Sequence, residues 1–141
     1  GAMPEPFVSV PATAPLRLPE DIDACIDEYE RGEADVVLCV TPARSNPWFN
    51  MVRQEADGGY GLIGDGGRID RRQDAPEVFD IAPVAYVARS SYVMAHDHLF
   101  SGSVSATMVP SERAVDIDTL HDFEIAECSM SRRSPCASPA R

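Results

Sequence analysis

The chain has 141 residues, 44% of them hydrophobic, which suits one soluble globular domain with a sizeable core. Its formal net charge is -11, which disfavours binding to nucleic acids or anionic membranes, because phosphate-rich partners are normally met by basic surfaces. All twelve basic residues are Arg, so a phosphate-loop lysine is excluded within this chain. No apolar run is long enough to cross a bilayer, and we expect a cytoplasmic protein with reduced, buried thiols at Cys25 and Cys39.

The first part of the chain predicts a strand, a helix and a second strand. Phe7–Val10 is short and apolar and is closed by Pro11, which is typical of a buried strand that opens into a loop. Pro19 suits the first position of a helix, and the apolar stripe that follows ends at Arg31–Gly32. The next buried strand is predicted at Asp35–Val40. Because a helix connects the two strands, we expect them to be parallel.

The middle of the chain predicts further strands. Apolar residues alternate on both sides of Asp57–Gly59, and this pattern favours a β-hairpin. Val78–Ser90 predicts an extended stretch, in which Pro83 would have to lie at an edge or a bulge. Ser103–Val109 predicts another strand.

The last helix is expected to begin near Thr119, whose hydroxyl can form a capping box with Asp122. Its apolar face would consist of Phe123, Ala126 and Met130. Beyond it, residues 131–141 have no apolar period and contain two prolines, which predicts a disordered tail. At the other end, Gly1–Met3 resembles a cloning remnant. We therefore predict one domain over residues 4–130.

Two aspartates, Asp116 and Asp118, stand where an apolar run gives way to the last helix. Side chains two residues apart project from the same face of an extended segment, so both carboxylates can bind one divalent cation at the end of a strand. Magnesium suits this pair because it takes oxygen ligands and bridges carboxylates to substrate phosphates. The alternative is that the two acidic residues only favour the positive end of the following helix, and the short pattern alone leaves both interpretations open.

Other polar clusters allow anion or metal binding. Arg71–Asp74 offers two guanidinium groups and an amide that can bind a carboxylate or phosphate, although a solvated polar turn explains it as well. Arg17 can point toward an anion at the carboxyl end of the sheet or belong to an ordinary loop. The glycines of Gly64–Arg68 favour a hairpin turn over a phosphate loop, since no helix follows them. His96 and His98 favour a solvated loop over a metal site.

Four blocks of sequence, taken in order, resemble the acylneuraminate cytidylyltransferase family, which makes CMP-activated sialic acids and related nine-carbon sugars. The blocks are Ala12–Asp23, Ala34–Val52, Arg71–Ile81 with Tyr86 after it, and Met108–Glu127. The last block is the most specific, because its acidic pair and capping residues fall in the family's order. The resemblance runs from about Phe7 to Cys128.

The resemblance implies a Rossmann-like nucleotide-diphospho-sugar transferase fold in the α/β class, truncated at its N-terminus. A β-hairpin dimerisation region over about 48–100 and a homodimer are implied with it. Asp116 and Asp118 become the catalytic and metal-binding residues, with Mg²⁺ as the cofactor and with CTP and an acidic nine-carbon sugar as partners. The implied substrate-binding residues are Arg17 at the nucleotide site and Arg72, Gln73 and Tyr86 at the sugar site.

Two departures from the family pattern leave the exact activity open. The family begins with a glycine-rich loop whose amides, Arg and Lys hold the CTP phosphates, and this chain has neither that segment nor a lysine. We therefore expect a partial form that is inactive alone. Ala82–Pro83 stands where members commonly carry Asn-Gly, so legionaminate, pseudaminate or 3-deoxy-octulosonate are alternative sugars to sialic acid. A non-catalytic dimerising or sugar-binding module is the alternative from another functional class.

Overall fold

In the computed structural model, residues 4–64, 69 and 71–133 are described, except for the side chain of Arg72. They form two compact units, one containing the segments up to Thr41 and from Ile81 onward, the other Pro42–Asp80. The helices are α1 (Pro19–Glu30), α2 (Ser90–Ala95) and α3 (Leu120–Arg133). The strands are β1 (Phe7–Ser9), β2 (Val36–Pro42), β3 (Val52–Gln54), β4 (Tyr60–Leu62), β5 (Phe79–Ala88) and β6 (Val104–Met108).

The main sheet has the strand order β1-β5-β2-β6 and is mixed. β2 and β6 are parallel, whereas β1 and β5 are antiparallel. The amide of Arg89 donates to the Asp35 carbonyl at one end of the β5 and β2 pair, and that of Ala43 donates to the Val78 carbonyl at the other. These bonds make β5 antiparallel to β2. β1 and β2 therefore run in the same direction, as predicted, but β5 lies between them.

Helix α1 follows from local signals in the sequence. Pro19 occupies its first turn, where the missing amide hydrogen costs nothing. The Asp21 carboxylate accepts a hydrogen bond from the amide of Leu18 at 2.8 Å, which satisfies a donor at the helix start. After the helix, Gly32 has a φ of 79°, a left-handed conformation that glycine adopts without steric cost. The predicted start and end of this helix are confirmed.

The core lies on the face of the sheet that α1 covers. It contains the buried thiols of Cys25 and Cys39, as predicted, among small and β-branched side chains. The buried residues of this cluster are Ala14, Cys25, Ala34, Val37, Cys39, Ala82, Val84, Ala85, Val87 and Val109. A smaller cluster on Val36, Ala88 and Tyr92 packs α2 on the sheet. The carboxylate of Glu5 accepts a hydrogen bond from the amide of Ser90 at 2.9 Å and so caps α2.

The second unit contains the predicted hairpin. β3 and β4 pair antiparallel, with Val52 opposite Leu62. Gly58 has a φ of 87° in the connecting turn, and the Asp57 side chain accepts a hydrogen bond from the amide of Gly59 at 2.9 Å. Most of Gly64–Arg68 lies outside the described residues.

Two further expectations concern Pro83 and the cap of α3. β1 pairs only with Tyr86–Ala88 of β5, so Pro83 lies in a stretch of β5 that β1 does not reach. The Asp122 carboxylate accepts hydrogen bonds from the Thr119 amide at 2.8 Å and hydroxyl at 2.6 Å, and the Asp122 amide donates to the Thr119 hydroxyl at 3.3 Å. The capping box is confirmed. α3 continues to Arg133, three residues into the segment predicted as a tail, and residues 134–141 lie outside the described part.

The α/β class is thus confirmed, with a mixed sheet. The Rossmann-like assignment and the dimerisation role of the hairpin stay predictions. Within residues 4–64, 69 and 71–133, no helix combines the length and the apolar character that a bilayer span requires.

Asp35 should make the stability of the fold pH-dependent. The amide and hydroxyl of Ser103 donate to its carboxylate at 3.1 and 2.9 Å, and these bonds lower the pKa of Asp35. A depressed pKa in the folded state stabilises the protein above the unfolded value of about 3.9, and this stabilisation is lost as the pH falls through the folded pKa. Urea denaturation of wild type and Asp35→Asn should differ most near neutral pH and converge in acid. A constant difference would contradict the role of the ionised carboxylate.

Candidate functional site

The candidate site lies in the irregular segment between β6 and α3. After β6 ends at Met108, the chain turns at Ser111–Arg113 and reaches the two aspartates. The amide of Ile117 donates to the Thr13 carbonyl at 2.9 Å, which attaches this segment to the loop between β1 and α1. Asp116 is half-buried and Asp118 is exposed.

One carboxylate oxygen of Asp116 lacks a hydrogen-bond partner within residues 4–64, 69 and 71–133. Its Oδ1 is buried and accepts no hydrogen bond from the described residues. Leaving a buried polar atom unsatisfied costs about 1–3 kcal/mol, and more for a charged group, so such atoms call for a specific explanation. A hard divalent cation bound by oxygen ligands would supply the missing partner, and the donor chemistry of Asp116 fits one. No group of three or more His, Cys, Asp or Glu side chains suited to a metal is found among the described residues.

The geometry of the acidic pair differs from the expected strand end. Two side chains share a face only if an extended strand ends at the pair, but β6 stops well before Asp116 and the intervening chain is irregular. The sequence pattern could not indicate this, since Val115–Asp118 alternates apolar and acidic residues as an extended strand does. Any convergence of Asp116 and Asp118 on one cation therefore depends on the path of this segment, which tertiary contacts determine.

Tyr86 is the predicted site residue that the structure brings near Asp116. It lies on β5 opposite Ser9 and is half-buried. Burial raises the pKa of Tyr86, and the negative charge of Asp116 raises this pKa further. The phenol therefore remains protonated and can donate a hydrogen bond beside the carboxylate.

Arg17 is engaged within its own loop. Its Nη1 donates to the carbonyl oxygens of Pro11 at 2.5 Å and Ala14 at 2.7 Å. These bonds shape the loop between β1 and α1, which also carries the Thr13 carbonyl. The predicted role of Arg17 as a ligand for an anion is not tested by these contacts and stays a prediction.

Gln73 lies in the second unit, in a 3₁₀ turn over Arg72–Asp74. It lines an open cleft of about 310 Å³ whose walls include Asn46 and Pro76. The Asn46 side chain donates to the Pro76 carbonyl at 2.9 Å and accepts a hydrogen bond from the Trp48 amide at 2.9 Å, so it organises this cleft. This role of Asn46 was not predicted from the sequence. The side chain of Arg72 lies outside the described part of the structure, and its role stays a prediction.

Asp21 and Arg113 form an ion pair that was not predicted from the sequence. The Nε and Nη2 atoms of Arg113 donate to the two carboxylate oxygens of Asp21 at 3.0 and 2.6 Å. Asp21 is 4% exposed, although an acidic residue in the first turn of a helix is usually solvated. The signal available in the sequence was the position of Arg113 within the Met108–Glu127 block.

His96 directly follows the end of α2. Its ring stacks on Tyr92 with 4.3 Å between the ring centroids, and its Nδ1 lies 3.1 Å from the Tyr92 carbonyl oxygen. His96, Asp97 and His98 are exposed. These observations agree with the loop interpretation.

No family model matches the chain, but its sequence is similar to those of two curated proteins. It is 26% identical over 121 residues to "Post-translational flagellin modification protein B" of Campylobacter coli, covering 86% of this chain and 51% of that protein. It is 28% identical over 130 residues to "CMP-N,N'-diacetyllegionaminic acid synthase" of Campylobacter jejuni, covering 92% and 54%. Over most of its length the chain is similar to CMP-sialic-acid-synthetase-like proteins. It spans about half the length of the curated relatives it matches.

The family resemblance predicted from four sequence blocks is confirmed by this similarity. The first unit carries Asp116, Asp118, Tyr86 and Arg17, and the charge of Asp116 contributes to the raised pKa of Tyr86. Gln73 belongs to the second unit. The individual roles of these side chains stay predictions.

Proposed function

We propose that the chain is part of a cytidylyltransferase that transfers CMP from CTP to an acidic nine-carbon sugar and releases pyrophosphate. The observation that carries this proposal is the buried carboxylate oxygen of Asp116 near Tyr86, which accepts no hydrogen bond from any residue that the structure describes. The similarity to a protein named as a CMP-N,N'-diacetyllegionaminic acid synthase supports it and favours a nonulosonic sugar as the acceptor.

Asp116 and Asp118 would hold a divalent cation, with Mg²⁺ as the natural choice for oxygen ligands. When bound, such an ion neutralises charge on phosphate oxygens. Charge neutralisation by a cation is important for this chain, because its formal net charge of -11 would otherwise repel a triphosphate.

The reaction needs little covalent chemistry from the protein. The anomeric hydroxyl oxygen of the sugar forms a bond to the α-phosphorus of CTP, the bond from that phosphorus to pyrophosphate breaks, and the hydroxyl proton passes to solvent or a nearby base. Catalysis then comes from positioning and electrostatic stabilisation. Tyr86, held neutral, would orient the sugar through its hydroxyl, with Arg72 and Gln73 binding the sugar and Arg17 lying at the nucleotide site.

We further propose that the sheet is the corresponding part of a Rossmann-like fold and that the hairpin mediates a homodimer. The support for a protein contact is the apolar surface of the hairpin: Val52, Tyr60 and Leu62 are 55%, 70% and 45% exposed. Such a patch on so small a unit is typical of an interaction surface.

The decisive test is pyrophosphate release from CTP and N,N'-diacetyllegionaminic acid in the presence of Mg²⁺, with calorimetric binding of the CMP-sugar measured in parallel. Turnover that requires both substrates supports the proposal. Magnesium-dependent binding of the CMP-sugar without turnover would favour the non-catalytic sugar-binding module. Absence of both turnover and binding would overturn the proposal.

A further inference from the structure

We propose that Asp21 and Arg113 are a positioning pair, whose contact fixes the segment carrying Asp116 in the conformation that binds the cation. The inference rests on the proposed function, because it concerns the same carboxylates. Neither residue is expected to touch the substrate or the cation.

The contact has the geometry of a strong, directional ion pair. Both carboxylate oxygens of Asp21 accept from the guanidinium of Arg113, at 3.0 and 2.6 Å, while one of them also accepts from the Leu18 amide at 2.8 Å. The side chains of Arg113 and Asp21 are 25% and 4% exposed. A buried bidentate pair of this kind fixes the orientation of both partners, and loss of one leaves the other charge uncompensated.

The pair holds the chain at a point that determines where Asp116 lies. The amide of Val109 donates to the Val40 carbonyl at 2.8 Å, and the hydroxyls of Ser111 and Thr41 lie 3.1 Å apart, so the start of the segment is joined to β2. From there the chain is irregular until α3 begins. Arg113 attaches it to the start of α1 three residues before Asp116, and Ile117 attaches it to the loop before α1 one residue after.

Arg133 makes a third contact, which joins the end of α3 to the same two segments. The guanidinium of Arg133, at the end of α3, donates to the carbonyl of Leu16 and, at 3.1 Å, to that of Glu112. The loop before α1, the segment before Asp116 and the end of α3 are therefore tied to one another. Among these ties, the Asp21–Arg113 contact is the side-chain ion pair and can be removed without altering the backbone.

Breaking the pair should weaken cation binding in two ways. First, the segment that carries Asp116 loses its side-chain contact with α1. Second, in Asp21→Asn the unpaired guanidinium of Arg113 can compete with the cation for the Asp116 carboxylate. Arg113→Gln removes the anchor without leaving a competing charge. Residues that orient metal ligands from the outer shell typically change metal affinity by about 10–100-fold when mutated, and we expect both variants to fall in this range.

The experiment is a Mn²⁺ titration of the whole chain, followed by the electron paramagnetic resonance signal of free Mn²⁺. Wild type, Asp116→Ala, Asp21→Asn, Arg113→Gln and Arg113→Lys are compared, with urea denaturation of each variant. Asp35→Asn is the matched control, since it removes a hydrogen-bonded carboxylate at the other end of β2 and β6. We expect weaker Mn²⁺ binding in Asp21→Asn and Arg113→Gln, partial recovery in Arg113→Lys, and unchanged binding in Asp35→Asn.

Two outcomes separate this inference from the proposed function. If wild type binds Mn²⁺ and Asp116→Ala does not, but Asp21→Asn binds as wild type does, the positioning role is overturned while the cation site stands. An equal loss of affinity in Asp21→Asn and Asp35→Asn, at equal loss of stability, would also overturn it. Failure of wild type to bind would remove the cation site itself and the inference with it.

Discussion

Asp116→Ala is expected to stabilise the protein in EDTA and to abolish any stabilisation by Mg²⁺. The buried Oδ1 of Asp116 has no hydrogen-bond partner in the described part of the chain, and an unsatisfied buried polar group costs about 1–3 kcal/mol. Removing the carboxylate should therefore raise the free energy of unfolding by about 1 kcal/mol after allowance for lost packing. Wild type should instead gain about 2.7 kcal/mol when the cation is present at 100 times its dissociation constant.

Asp118→Ala is the matched control. Its side chain is exposed, so its removal leaves stability in EDTA nearly unchanged while also reducing the stabilisation by Mg²⁺. Urea denaturation of wild type, Asp116→Ala and Asp118→Ala, each with EDTA and with Mg²⁺, gives the six free energies of unfolding. A destabilised Asp116→Ala in EDTA, together with an unchanged response to Mg²⁺, would rule out Asp116 as a cation ligand. A cation-binding carboxylate is expected to make wild type less stable than Asp116→Ala in EDTA but more stable in Mg²⁺, whereas a purely structural carboxylate would stabilise wild type in both buffers.

The elements that could be predicted from the sequence are those specified by short-range chemistry. The first turn at Pro19, the left-handed Gly32, the turn at Asp57–Gly59 and the Thr119 capping box each depend on a few adjacent residues. Their backbone requirements are the same in any protein, so the pattern predicts them directly.

What could not be predicted depends on contacts between distant residues. The cap of α2 comes from Glu5, which is 85 residues away from Ser90, and the partner of Arg113 is 92 residues away at Asp21. The position of antiparallel β5 between β1 and β2 likewise depends on tertiary contacts. The acidic pair was found because Asp116 and Asp118 are only two positions apart in sequence, but the partial burial of one and the exposure of the other follow from the path that these long-range contacts impose.

Leu16→Ala is expected to lower the free energy of unfolding by about 2–5 kcal/mol, the range for a fully buried leucine. Leu16 is 0% exposed although it lies in a loop, and its carbonyl accepts a hydrogen bond from Arg133. The cavity left by its side chain is expected to loosen the loop that also carries Thr13. Leu120→Ala is the control, because Leu120 is 75% exposed, and should change stability by no more than about 0.5 kcal/mol.

Urea denaturation at fixed pH measures both changes, and a Mn²⁺ titration of Leu16→Ala, under conditions where it remains folded, adds a functional readout. Because the Thr13 carbonyl accepts the Ile117 amide at 2.9 Å, loosening the loop should also move the residue next to Asp116. We therefore expect weaker cation binding in Leu16→Ala and unchanged binding in Leu120→Ala. Equal stabilities of the two variants would show that the loop is not held by its buried leucine. A large loss of stability with unchanged Mn²⁺ affinity would show instead that the acidic segment keeps its conformation through contacts other than the Thr13 loop, such as the Asp21–Arg113 pair.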